Sequence, residues 1–242
     1  MSEGTMIATY SLSDKLPSFE FFSWLVMVQS AGATKICFDI DKPKLKNKSF
    51  SLADISKRFF SILCPGPALA GMDYHIGDTP TDVDAVAAAF QKWYEAGNRF
   101  KRLKTVKPPV ACKYTVTIRD NALGARLRDS NRDVWERFAL EIGATFIDDY
   151  YRDPISLHDR VALYAGSKMN FGVCNGPIFM ASLTEYPVAM FVNGESARNS
   201  QTRFGMQQNR KYPWMLPNQH LIWQDDNDLG ALLKTFEALG LT

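Results

Sequence analysis

The chain lacks the usual marks of a small protein built on metal or disulfides. Its four cysteines, Cys37, Cys64, Cys112 and Cys174, form no C-x-x-C pair and have no histidine at zinc-finger spacing. Cys37, Cys112 and Cys174 sit in or beside apolar runs, so the thiols read as reduced core residues of a cytoplasmic protein. Histidines number three, and no group of His, Asp or Glu has metal-ligand spacing; Asp39 and Asp41 come nearest to an Asp-x-Asp pair. No metal and no cofactor is therefore expected. Strong charge is missing as well: 28 Lys and Arg against 26 Asp and Glu leave a formal +2. That balance gives no general electrostatic case for nucleic acid or an anionic membrane, so any basic site must be local. Long apolar runs are also scarce. Residues 19–33, FEFFSWLVMVQSAGA, look at first like a signal peptide. Glu20 lies inside that stretch, Glu3 and Asp14 precede it, and the run is too short to span a bilayer. A buried helix is predicted there. No repeat, heptad pattern or low-complexity tract occurs.

What is present suits a globular protein. Hydrophobic residues make up 46% of the 242 positions and charged ones 22%, enough apolar material for one large core or two small ones. In chain order, 6–12 reads as a strand, Ser18 as the cap of a helix ending at Gly32, and 35–40 as a buried parallel strand. The lysine-rich 41–49 reads as a solvated loop, with contact to an acidic acceptor or a lipid surface as the alternative. A helix carrying Ile55, Phe59 and Phe60 follows, and 60–63 reads as a strand closed by a C-P-G-P turn. Residues 71–78, holding Asp73 and His75, read as a loop, and Asp82 or Asp84 opens the next helix. The basic, proline-terminated KRLKTVKPP at 101–109 reads as a linker, dividing the chain into 1–107 and 108–242.

The second half alternates more plainly. Strands are predicted at 113–120, 145–147, 169–173, 188–192 and 221–225. Ser130 with Asp133 and Ser156 with Asp159 resemble capping boxes, and Asp228 caps a last helix. A long polar loop is predicted over 193–217. Alternation of this kind means parallel α/β sheet, two Rossmann-like halves facing a cleft.

The chain is organised around 164–177, YAGSKMNFGVCNGP. A strand there feeds an Asn175-Gly176 turn, and Pro177 opens a helix with its φ already helical and no N–H to lose. Gly176 carries no Cβ, so a ligand can approach the backbone. Free N–H groups at such a helix start suit a phosphate, and the place is the carboxyl edge of an open sheet. An ordinary strand–helix turn with no ligand has the same sequence. Arg119 ends the preceding strand, and Arg126 and Arg128 follow in its loop. Guanidinium forks match pyrophosphate oxygens and stay charged. Pairing of Arg126 and Arg128 with Asp120 and Asp129 on the surface is the other reading.

Residues 163–191, LYAGSKMNFGVCNGPIFMASLTEYPVAMF, resemble the nucleotide-sugar-binding half of GT-B glycosyltransferases, most of all heptosyltransferases. A similar pattern, Thr-x-Arg followed by an arginine-rich loop and an R-x-S-N-x-x-x-W-x-x-F-A helix, marks glycosyltransferase-like proteins of polysaccharide loci. Here its positions are Thr117, Arg119, Arg128, Ser130, Asn131, Trp135, Phe138 and Ala139. Two departures stand out: Phe179 occupies a position where heptosyltransferases usually carry histidine, and the chain is shorter than a usual two-domain GT-B enzyme.

The resemblance implies a reduced GT-B-like fold and a metal-independent hexosyl- or heptosyltransferase of cell-surface polysaccharide or glycan assembly. Its partners would be a nucleotide-sugar donor and a glycan or lipid-linked acceptor, with peripheral membrane contact at most. The donor phosphates would meet Arg119, Arg128 and the Asn175-Gly176-Pro177 turn, and Asp148 and Asp149 the ribose. A carboxylate or imidazole must take the acceptor proton. Asp14, just beyond the first strand, leads by position, with Asp39, Asp73 and His75 as competitors. A nucleotide-sugar epimerase and a non-catalytic nucleotide-sugar-binding protein are the alternatives.

Overall fold

The computed structural model describes residues 6–12, 17–39, 52–76, 87–118, 130–148, 155–193, 210–225 and 228–241, the side chains of 52, 54, 75 and 87–89 excepted. The chain divides into two compact units, Met1–Val106 and Lys107–Thr242. Each is α/β and each is built on a parallel sheet, of three strands in the first and five in the second.

The first sheet is β1 (Ile7–Ser11), β2 (Lys35–Asp39) and β3 (Asp73–Ile76), in that order. Helix α1 (Phe21–Ser30) joins β1 to β2. Phe21, Phe22, Trp24, Leu25 and Val26 are all fully buried, more than one apolar stripe, as befits a helix sunk in a core. Tyr10 of β1 packs edge-on against Phe21 and Trp24, and Phe38 of β2 does so against Phe59. Gly66, at the start of α3 (Gly66–Leu69), fits because a Cβ there would stand 2.8 Å from the Phe21 ring.

Three expectations are corrected in this unit. Helix α2 (Leu52–Arg58) runs into a π-helical turn at Phe59–Leu63, where a strand was expected from Phe60. A short apolar run cannot announce its own period, and helical continuity decided this one. Asp73–Ile76 is a strand, where a loop was expected; Tyr74 and Ile76 stay 42% and 45% exposed, so no buried run marks it. Ser18 does not cap α1, whose N-cap position is Glu20. Helix α4 (Ala87–Glu95) packs on α1, with Phe90 buried.

The second sheet runs β5-β4-β6-β7-β8, with β4 (Cys112–Thr117), β5 (Ala144–Ile147), β6 (Ser167–Val173), β7 (Val188–Phe191) and β8 (Gln219–Ile222). Helix α5 (Arg132–Ile142) and the last helix, which is numbered α8 here (Leu229–Ala238), cover one face. Trp135, Phe138, Leu232 and Phe236 close there over Tyr114, Val116 and Phe171. The alternate β4 residues, Thr115 and Thr117, turn to the other face and meet Asn170 and Tyr164 of α6 (Leu157–Gly166). Gly143 ends α5 in the left-handed region at φ 66°. Ser156 caps α6 by accepting the Asp159 N–H at 3.1 Å, and Asp228 caps α8 through the Gly230 N–H at 2.8 Å.

Two boundaries differ from expectation. The N-cap position of α5 is Asn131, not Ser130, and no side-chain cap bond is made there. The last strand starts at Gln219 rather than at residue 221. Gln219 is fully buried; its amide donates to Thr184 O at 3.0 Å and Tyr186 O at 3.1 Å and accepts from the Leu216 N–H. A polar side chain satisfied by backbone gives no sign of burial in a sequence.

Candidate functional site

The order of the second sheet creates a crevice. After β4 the chain adds β5 on one side, then returns to add β6 on the other. The connections leaving β4 and β6 therefore diverge beyond their carboxyl ends, the place where open α/β sheets bind ligands. Gly172 lets the surrounding backbone close up: a Cβ would lie 2.4 Å from Thr117 O and 2.6 Å from Ile178 Cγ1.

The turn closing β6 is built on Asn175. Its backbone is extended, at φ −133° and ψ 176°, and helix α7 (Gly176–Ala181) begins immediately after. Asn175 Oδ1 accepts the Ile178 N–H at 3.2 Å, and its backbone oxygen accepts the Phe179 N–H at 2.8 Å. Its Nδ2 donates across the crevice floor to Ile118 O at 3.3 Å. The carboxamide expected to meet phosphate is thus spent on capping α7 and tying β6 to β4. Pro177 has no N–H, and the amides at 178 and 179 are occupied within the turn. Among the described residues of this turn, the Gly176 N–H remains for a ligand. One amide and a six-residue helix carry little positive potential. Charge for an anion must come from side chains.

Arg119, the residue after Ile118 in the sequence, lies with Arg126 and Arg128 outside the described residues. One arginine that no sequence motif marks stands close by. Arg160 of α6 is 3% exposed, and its Nη1 donates to Tyr164 Oη at 3.4 Å. Tyr164 Oη in turn lies 2.9 Å from Thr117 Oγ1, at the end of β4. A guanidinium keeps its charge when buried, so α6 holds a buried cation one hydroxyl removed from Thr117. An arginine on a helix reads as surface, so the sequence alone does not mark it.

The other candidates are placed as follows. Asp148 follows β5, and its Oδ2 accepts from Arg132 Nη2 at 2.8 Å; Arg132 Nε holds Glu136 at 2.6 Å. The hydrogen bond that Arg132 donates to Asp148 is the main reason the Arg132 pKa is raised. Asp149 and Asp14 lie outside the described residues. In the first unit, Asp39 ends β2 and accepts from Ser11 Oγ at 3.2 Å. Asp73 begins β3, opposite Lys35, so it lies at the amino edge of that sheet, away from the carboxyl edge where Asp39 stands. His75 is paired in register with Cys37 in mid-sheet. All four cysteines are free thiols, with Cys37, Cys64 and Cys174 buried and Cys112 half-buried. Among the described residues no three His, Cys, Asp or Glu converge as metal ligands. Asp41 lies outside them.

Phe179 belongs to an aromatic clip. Tyr212 and Trp214 stack at 4.7 Å with planes 8° apart, and Phe179 meets both edge-on. Trp214 Nε1 donates to Ser182 Oγ at 3.1 Å, just past α7. These residues fall in the stretch expected to be polar loop, yet Tyr212, Trp214 and Met215 are buried.

No family model and no curated protein matches the chain. Among solved structures, the iron-containing dodecameric glycosyltransferase TibC from enterotoxigenic E. coli H10407 aligns with a TM-score of 0.39 and 14% identity. The alignment covers 93% of this chain and 66% of TibC, so the chain spans just under two thirds of that protein. The likeness is a loose one of chain path. Activity lives in sites rather than in folds, and nothing in TibC's site is assigned to this chain. No helix among the described residues is long and apolar enough to cross a membrane.

Proposed function

We propose that the chain is a glycosyltransferase of the GT-B kind, moving a sugar from a nucleotide-activated donor to a glycan or surface-polysaccharide acceptor without a metal. The observation that supports it most is the reversal of strand order between β4 and β6. It falls at the stretch whose helix, strand, Asn-Gly-Pro turn, helix and strand resemble the donor half of heptosyltransferases. In this reading the donor diphosphate lies beyond β4 and β6, against the Gly176 N–H and the guanidiniums of Arg119 and Arg128. The acceptor hydroxyl passes its proton to the Asp14 carboxylate. Its oxygen bonds the anomeric carbon as the bond from that carbon to the diphosphate oxygen breaks. Fixed guanidiniums stabilise the charge arriving on the leaving phosphate, the role a metal plays elsewhere. Asp148 and Asp149 are the candidates to meet the ribose hydroxyls. The reading places the protein in the cytoplasm, in peripheral contact with a membrane that supplies the acceptor.

Product analysis with a panel of nucleotide sugars, with and without chelator, tests the reaction. Transfer or hydrolysis that survives chelator is expected. Sugar isomerisation would make the protein an epimerase, and tight binding without turnover a binding protein. For the site, a nucleoside diphosphate at about a hundred times its Kd should stabilise the fold by about 2.7 kcal/mol. Arg119→Ala should remove most of the resulting rise in Tm and leave the free protein folded. An undiminished rise would take the anion site away from the end of β4.

A further inference from the structure

A second concave surface lies on the second unit, at the edge of its sheet. β8 ends the strand order, so one of its sides has no neighbouring strand among the described residues. Between it and α8 runs an open groove of about 560 Å³. Ala231, Lys234, Thr235, Ala238 and Leu239 share one helical face, three and four residues apart, and form one wall. β8 with Lys211 forms the other. The volume is that of a small-molecule site, and Leu221, Ile222, Ala231, Ala238 and Leu239 give it an apolar lining.

The charge of this lining is one-sided. Lys211 and Lys234 both border it, and none of the described residues lining it is acidic. Lys211 Nζ spends one proton on Leu216 O at 3.3 Å. His220 also lines the groove, with its pKa pushed down by burial first and by the Lys211 charge second. Gln224 accepts from Thr235 Oγ1 at 2.7 Å, while the Nε2 end of its amide is buried without a partner. Two ammonium groups beside an apolar trough, with no counter-charge among the described residues of its wall, match a dianion that carries an apolar body.

We propose that the groove between β8 and α8 binds an organic phosphate monoester, its phosphoryl group held by Lys211 and Lys234 and its apolar body lying along the strand and helix. A second copy of this chain is a poor occupant, because a like edge would bring lysine against lysine.

The test uses the full chain with octyl phosphate, octanoate and inorganic phosphate as probes, read by the NMR titration of the His220 ring. Octyl phosphate should bind saturably and raise the His220 pKa, since the bound anion offsets Lys211. Octanoate, with half the charge, and inorganic phosphate, with no apolar body, should each bind at least about tenfold more weakly. Lys211→Ala with Lys234→Ala should weaken octyl phosphate at least about tenfold. Ala238→Trp, which fills the groove from an exposed helix position, should abolish binding by itself. Absence of a His220 response to octyl phosphate would overturn the proposal. So would equal affinity for inorganic phosphate or octanoate, or full affinity in either variant.

Discussion

Asn175 uses a four-atom side chain and its own carbonyl to hold three backbone groups on two elements, Ile118 after β4 and Ile178 and Phe179 of α7. Asn175→Ala removes the cap and the tie across the crevice together. We expect it to cost about 1–2 kcal/mol in urea unfolding, and to weaken the proposed diphosphate binding because the turn after β6 is no longer tied to the end of β4. Asn175→Ser keeps a cap acceptor but cannot span to Ile118, so it should recover part of the stability and little of the binding. The sequence marked Asn175 correctly as the centre of the turn. It could not say that the carboxamide faces inward, because that depends on Ile118, which lies 57 positions away. A second residue gives a prediction in pH. The His220 pKa is lowered from its ordinary 6.5, so below about pH 6.5 the unfolded chain binds a proton that the folded chain resists. Its stabilising contribution is complete above that pH and is lost as pH falls toward the folded value. His220→Gln should flatten this limb of the stability curve, measured as urea midpoints between pH 7 and about 5.

Elements with a strong period were legible from the residues. Helix α5 shows its buried face through Trp135, Phe138, Ala139 and Ile142, and Gly143 stops it as expected. Caps carried by Ser156 and Asp228 were equally plain. The failures share a cause. The π-turn at Phe59–Leu63, the half-exposed strand β3 and the displaced start of β8 are fixed by partners distant in sequence, not by local pattern. The aromatic clip is the clearest instance, since Tyr212 and Trp214 sit among polar residues and bury only because Phe179 and Ser182 receive them. Trp214→Ala should cost about 3–5 kcal/mol, the usual loss for a buried indole. Trp214→Phe should keep most of the packing and lose about 1 kcal/mol with the bond to Ser182. Equal losses for the two would mean that packing carries little of the clip's stability.

At the scale of the molecule, the core cluster described in the second unit runs from Tyr114 to Phe236, with Leu239 and Leu241 packed against it. The fragment Lys107–Thr242 should therefore fold alone, with a cooperative urea transition and the full complement of its buried tryptophans, Trp135 and Trp214. If the donor site is placed correctly, that fragment should also keep most of the affinity of the whole chain for a nucleoside diphosphate. A fragment that aggregates or melts without cooperativity would contradict the division at Val106. The parallel, doubly covered sheet was legible in the alternation of elements. The position of the crevice was legible only through the turn at 175–177, because strand order is not written in any local stretch.

The packing of Phe236 against Tyr114, at 5.2 Å between ring centroids, has a bearing on synthesis. The first strand of the second unit is roofed by the helix that carries Phe236, so no nascent chain can complete that core until Phe236 has left the ribosome. The first unit is free to fold while the second is still being translated, at roughly 5–20 residues per second. During that interval Tyr114, Phe138 and Phe171 stand without the ring that covers them. A premature stop anywhere before Leu232 would leave this face open to solvent, and the truncated chain would be a substrate for chaperones rather than a smaller version of the protein.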